Sequence, residues 1–324
     1  YDLAARSLVD GNGLDWRFFW QPFLYPVSLA GIYAVTGGSI LAAKIVQLLV
    51  GVATCWLVLR VARRLFGPGT GVIAGIACAM HGPMMFFEGE LLATGWATFW
   101  AILLLDRFTL AGSDDPPRSW ALTGALCALA VLTRPTFLPA VALATGVVLW
   151  KGRGRMLATR GGTVIGVFLL LTIPVAMLGS VTASHPSFLP ASGAMNLYLG
   201  NHHEPCETLT IRPGEGWKEL VGRARPAGEG DLVANRAFFR EQLEQNLADH
   251  PGAIVSGIGR KFVQVFSSRE LPRNVDPYGQ NEWSNSLSGL MFRLGGFGVP
   301  MGFIIPFAFV GAWTARRRIP PVFY

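Results

Sequence analysis

Charge is what this chain has least of. Asp, Glu, Lys and Arg make up only 15% of its 324 residues, while 51% are hydrophobic and mean hydropathy is +0.41. Soluble domains carry about 25% charged residues, so the deficit points away from a water-surrounded globule. Cysteine is equally sparse. Cys55, Cys78 and Cys127 stand singly in apolar runs and Cys206 in a polar stretch. No CxxC pair or Cys/His metal spacing is present, and the four are read as small apolar filler. Walker A, Rossmann and HExxH signatures are also missing, which removes support for soluble nucleotide chemistry or a zincin. The net charge of +7 does not call for nucleic acid, because the basic residues follow a different logic.

The arginines cluster at alternate joints between apolar segments. Arg60, Arg63 and Arg64 end one segment, and Arg107 and Arg118 bracket the next such joint. Lys151, Arg153, Arg155 and Arg160 fill a third, and Arg316, Arg317 and Arg318 a fourth. The joints between hold Glu88 and Glu90, or Arg134 alone. Cytoplasmic loops of membrane proteins are enriched in Lys and Arg. The alternation therefore predicts an all-α polytopic membrane protein, with Glu88, Glu90 and Arg134 on its extracytoplasmic face.

Four regions follow. Residues 1–38 form an outer juxtamembrane loop with a re-entrant or surface helix, since the apolar run after Pro22 is shorter than the ~20 residues a span needs. Residues 39–181 hold six crossings, one of them Gly69–Met85. Residues 182–295 are an extracytoplasmic insert with two amphipathic helices, Asp231–Asn246 and Ala253–Phe266, separated by Pro251. Residues 296–324 supply a final crossing and a basic cytoplasmic end. The first and last residues read as cuts in a longer membrane protein.

Each candidate functional residue carries two readings. Glu88 and Glu90 are either solvated helix ends or carboxylates facing an outer cavity, as acid–base work requires. Lys44 is either a functional cation in a span or a side chain snorkelling to the surface. Arg134, fixed at a helix break by Pro135, runs against the orientation bias and can clasp phosphate oxygens with two parallel bonds. Arg260 and Lys261 are a solvated face or a basic lip for a lipid-borne phosphate. His202-His203-Glu204 lacks a third ligand with supporting spacing, and His81 is read as a hydrogen-bonded packing residue. No metal site is expected, and a divalent ion has no motif to hold it.

Several stretches, in order, resemble the polytopic glycosyltransferases that use a polyprenyl-phosphate sugar, the GT-C group of protein mannosyltransferases and aminoarabinose transferases (glycosyltransferase family 39-like). Residues 1–8 are similar to the stretch that follows the family's Asp-Glu motif. Gln21-Pro22-Phe23-Leu24-Tyr25-Pro26 resembles its Pro-Pro-Leu-Tyr-Pro. Ala62-Arg63-Arg64-Leu65-Phe66-Gly67 resembles the basic end of a spanning helix, and Glu88-Gly89-Glu90-Leu91-Leu92 its second acidic outer loop. Residues 129–135, with Thr133-Arg134-Pro135, and the run Asn196 to Asn201 resemble two further segments. The resemblance implies a GT-C-like helical bundle that transfers a sugar, with inversion, from a polyprenyl-phosphate donor to a lipid, glycan or protein acceptor. It also implies a principal catalytic aspartate just before Tyr1, so that this fragment is inactive by itself. Glu88 and Glu90 would act on acceptor or donor sugar, and Arg134, Arg260 and Lys261 on the donor phosphate. Tyr25, Trp20, Asn201 and Lys44 would bind substrate. The rival classes are a transporter with a path through Glu88, Lys44 and Arg134, and a non-catalytic membrane scaffold.

Overall fold

The computed structural model describes residues 1–110, 116–150, 155–204, 218–220, 222, 224, 231–266, 284–291, 293–294 and 297–315. It is an all-α membrane protein. The elements in order are α1 (Asp2–Val9), α2 (Arg17–Trp20), α3 (Leu24–Thr36), α4 (Ile40–Phe66), α5 (Pro68–Ala79), α6 (Gly82–Gly89), α7 (Thr94–Leu110) and α8 (Pro117–Thr133). There follow α9 (Phe137–Trp150), α10 (Arg155–Ala183), α11 (Gly193–Asn201), α12 (Leu232–Asp249), α13 (Pro251–Val265), α14 (Asn285–Leu290) and α15 (Val299–Ala315). The described strand structure is one two-residue antiparallel pairing, β1 (Arg293–Leu294) with β2 (Phe297–Gly298).

Local chemistry sets the boundaries. Ser39 caps α4 by accepting a hydrogen bond from the Ala42 N–H. That occupies one of the backbone donors a helix start leaves open. At the other end Gly67 adopts a φ of +98°, open to glycine, while Arg63 and Arg64 oppose the negative end of the helix dipole. Arg134 leaves α8 with extended backbone, as the residue before a proline must.

Among the described residues, two helices are long and apolar enough to cross a membrane, Ile40–Phe66 and Thr159–Ala183. The predicted single segment Gly69–Met85 is instead two helices, α5 and α6, bent by 51°. Pro83 accounts for the break, because it has no N–H for an upstream carbonyl. His81 then starts the second helix, its Nδ1 accepting from the Met84 N–H. Gly82 sits so close to the Leu290 carbonyl that a Cβ there would lie 2.6 Å from the oxygen.

In the bundle, α4 packs on α5 and α7, and α8 on α7 and α10. Close approach of α8 to α10 depends on Gly124, where a Cβ would meet the Val164 carbonyl. The bundle has two chemically distinct ends. At one, Asp106 of α7, with its side chain 7% exposed, takes an ion pair of 2.8 Å from Arg64 and one of 3.5 Å from Arg60. Beside it Arg107 and Arg160 lie over the Trp120 ring. At the other end, Phe18, Phe19, Trp20, Leu132, Met195, Leu199 and Phe239 form a continuous apolar core, tying α2, α8, α11 and α12 together.

Candidate active site

The candidate site lies at the end opposite Asp106 and is built around Gln47, a fully buried amide in the long helix α4. Its Oε1 accepts from the Tyr25 hydroxyl at 2.9 Å. Its Nε2 donates to the carbonyls of Phe87 and Glu88 at 3.2 and 2.9 Å, and to that of Glu90. One side chain thus holds the end of α6 and the following turn against α4 and α3. Buried polar groups cost free energy unless they are paired, so this amide keeps the Glu88–Glu90 turn in one place.

The Glu88 side chain returns into the bundle. It fills the space left by Gly51 on α4, where a Cβ would lie closer than 3.0 Å to its carboxyl carbon. Its Cγ also lies against Gly95 on α7. It borders a cavity of about 170 Å³ lined by His81, Met84, Phe87, Thr94 and Thr98 among others. Among the described residues no hydrogen bond or ion pair engages the Glu88 carboxylate. A half-buried carboxylate without a partner, beside hydroxyls and an imidazole, can accept a proton or a hydrogen bond from a bound hydroxyl.

A second line of contacts leads to Arg134. Tyr1 and Tyr25 meet edge to face with ring centroids 4.8 Å apart. The Tyr1 hydroxyl donates weakly to Gln21 at 3.4 Å. Burial pushes the Tyr1 phenol above its ordinary pKa, and the Arg134 guanidinium works in the opposite direction. Arg134 is therefore electrostatically coupled to the ring that touches Tyr25. It is exposed, and no ion pair or hydrogen bond of its side chain occurs among the described residues. The Tyr1 segment is braced by Asp2, which accepts from Tyr33 at 2.6 Å and from Arg6 at 3.0 Å.

Asn201 and Lys261 form a separate group. Lys261 Nζ donates to Asn201 Oδ1 at 2.7 Å, and Asn246 Nδ2 donates to the Asn201 carbonyl at 2.8 Å. Desolvation, followed by the nearby charge of Arg260, lowers the Lys261 pKa. No hydrogen bond or ion pair among the described residues joins this group to Tyr25, Glu88 or Arg134. Arg260 is exposed and Lys44 half-buried on the second turn of α4, while Trp20 is buried in the apolar core. His250 stacks on His203, whose ring is tilted by 37° against that of His202 and donates to Asn246 Oδ1 at 2.8 Å. Among the described residues no cluster of three or more His, Cys, Asp or Glu is arranged to hold a metal ion. Cys206 and the predicted basic joint Arg316–Arg318 lie outside the described residues.

Sequence reading passed over Gln47 and Gly51. A glutamine inside an apolar span was the available signal for the first, since such a residue in lipid needs internal partners. Nothing local marks Gly51, whose importance arises from what packs against it.

Residues 20–178 match the family model described as dolichyl-phosphate-mannose-protein mannosyltransferase. The matched stretch is similar to GT-C-like glycosyltransferases, and it contains Tyr25, Gln47, Glu88, Glu90 and Arg134. Neither a curated protein nor a solved structure matches the chain.

Proposed function

We propose that the protein transfers a sugar from a polyprenyl-phosphate donor to a hydroxyl-bearing acceptor at the extracytoplasmic face of the inner membrane. The observation that carries this reading is the unpaired Glu88 carboxylate beside its cavity, with its turn clamped by Gln47 and Tyr25 and an exposed Arg134 coupled to the same aromatic pair. Transfer with inversion forms a bond from the acceptor oxygen to the anomeric carbon. The bond from that carbon to the lipid phosphate breaks, and the acceptor proton passes to a carboxylate. Negative charge develops on the departing phosphate, and fixed cations near it lower the barrier. Arg134 is the cation best placed for this beside Tyr1 and Tyr25. Arg260 and Lys261 offer further positive charge for the donor phosphate, and Asn201 holds Lys261. Glu88 positions the sugar or acceptor hydroxyl from the cavity, with Glu90 two residues further along the same turn and Lys44 on the neighbouring helix. A volume of about 170 Å³ is below the ~300–1,000 Å³ of a pocket that engulfs a whole ligand, which fits a site that takes part of a substrate and leaves its prenyl chain in the lipid.

The transporter reading has one observation in its favour, the bend between α5 and α6 beside a cavity bearing a carboxylate, since transporters use broken helices at their binding sites. Reconstituting the full-length protein with a radiolabelled polyprenyl-phosphate hexose or pentose decides between them. Transfer that is lost in Glu88→Gln and Arg134→Ala supports the proposal. Vesicle uptake of free sugar without any transfer product would refute it.

A further inference from the structure

Helix α13 has a surface that the proposed reaction does not use. Val255, Ile258, Phe262 and Phe266 recur three or four residues apart and occupy one face of the helix and its cap. All four are exposed, Val255 by 71% and Phe262 by 66%. A water-facing helix does not collect its large apolar residues on its exposed side, and such a patch marks an interaction surface. Pro251 to Val265 contains no acidic residue, and its charges are Arg260 and Lys261. At 100° per residue both point away from the apolar stripe, Arg260 about 155° and Lys261 about 105° from its middle. Lys261 is tied to Asn201 on the protein side, whereas Arg260 is exposed and faces outward.

The stripe also has a continuation. The Phe266 ring lies 5.6 Å from that of Phe309 on α15, an apolar helix whose Phe307, Phe309, Val310 and Trp313 are likewise exposed. In a chain that has helices able to cross a membrane elsewhere, apolar surface that runs on from α13 to α15 is placed to meet lipid. An apolar face backed by a basic polar side is what an in-plane interfacial helix presents to a leaflet, with the long cationic side chains reaching up to the phosphates.

We propose that α13 lies flat in the leaflet of an anionic phospholipid bilayer, with Val255, Ile258 and Phe262 below the headgroups and Arg260 at the phosphate layer. The bilayer surface, not a protein partner, covers the stripe. Lys261 and Asn201 are thereby held at headgroup depth.

The test uses the full chain in phosphatidylcholine–phosphatidylglycerol nanodiscs, after replacing Cys55, Cys78, Cys127 and Cys206 by alanine and confirming a monodisperse protein. Spin labels at Val255→Cys, Ile258→Cys and Phe262→Cys should collide more with oxygen dissolved in lipid than with an aqueous nickel chelate. Labels at Ser256→Cys and Gln264→Cys should show the reverse. Arg260→Glu should lift the helix and raise aqueous access at Ile258. Should the cysteine-free chain not fold, a benzophenone amino acid at Ile258 or Phe262 in the native background reports by mass spectrometry, and a phospholipid adduct is expected there but not at Ser256. Aqueous access along the stripe, or a label shielded from both colliders as under a protein partner, overturns the proposal. Unchanged depth in Arg260→Glu overturns the placement of Arg260 among the phosphates.

Discussion

Gly51→Ala tests the candidate site with the smallest possible change. A Cβ at this position would lie closer than 3.0 Å to the carboxyl carbon of Glu88, whereas carbon atoms in ordinary contact sit about 3.5–4.0 Å apart. The carboxylate must therefore withdraw by about 1 Å or more. The obstructing atoms belong to the far end of a flexible side chain, so the fold can accommodate the methyl at less than the ~1–3 kcal/mol typical of a rigid overpacked core. Activity has no such escape, because a displacement of about 1 Å at a reacting group can cost roughly a hundredfold in rate. The expected outcome is a fall of that order in kcat with a polyprenyl-phosphate sugar, a nearly unchanged melting temperature, and little further loss on adding Glu88→Gln. Gly75→Ala is the control. There a Cβ would meet the Leu59 Cβ at 2.9 Å, close to backbone that cannot swing aside, so stability should fall while Glu88 is untouched. Full transfer activity in Gly51→Ala, alongside an inactive Glu88→Gln, would refute the argument that the glycine sets the carboxylate's position.

Further outcomes follow from the same contacts. Gln47→Leu strips the partners from Tyr25 and three carbonyls, and leaving buried groups unpaired costs about 1–3 kcal/mol each. Thermal denaturation in detergent should show a clear loss of stability, and Tyr25→Phe a smaller one. Arg134→Lys keeps the charge but not the planar fork; loss of one charge-assisted bond, about 1.5–3 kcal/mol, should lower transfer by roughly one to two decades with melting unchanged. Asp106→Asn removes the buried partner of Arg64 and Arg60. Those arginines remain partly hydrated, so the loss should stay below the ~3–5 kcal/mol of a fully buried pair, and charge-reversing only Arg64 should show whether the pair is coupled in a double-mutant cycle. For Asp2, burial opposes the charged form, but hydrogen bonds from Tyr33 and Arg6 outweigh it and its pKa is lowered. The stabilisation is present above the unfolded value near 3.9 and is lost as pH falls through the depressed folded value. Amide exchange across α1 and α3 should accelerate only in that acidic window, and Asp2→Asn should abolish the acid-specific step.

Composition alone determined that the chain belongs to a membrane, because lipid selects for long runs with little charge, and that constraint is local. The helix starts at Ser39 and Asp231, the interruption at Pro251 and the break at Arg134-Pro135 were legible for the same reason: caps and prolines act within a turn of themselves. The resemblance carried by Tyr25, Glu88 and Arg134 also stood in the sequence, and the family match spans those positions. Only the tertiary structure decided which residues meet. The spanning helices are apolar on nearly every side, so periodicity does not reveal which face of α4 turns towards α6. Gln47 finds Glu88 across 41 residues, and Gly51 and Glu88 are fitted together by helix packing that no local pattern encodes. The close approach of the Leu290 carbonyl to Gly82 likewise joins segments far apart in the chain. Packing also sorted the predicted site into two groups, joining Lys261 to Asn201 while Tyr25 joined Gln47. Side-chain type records what a residue can bond to; the crossing of helices distant in the chain determines which of those bonds is made.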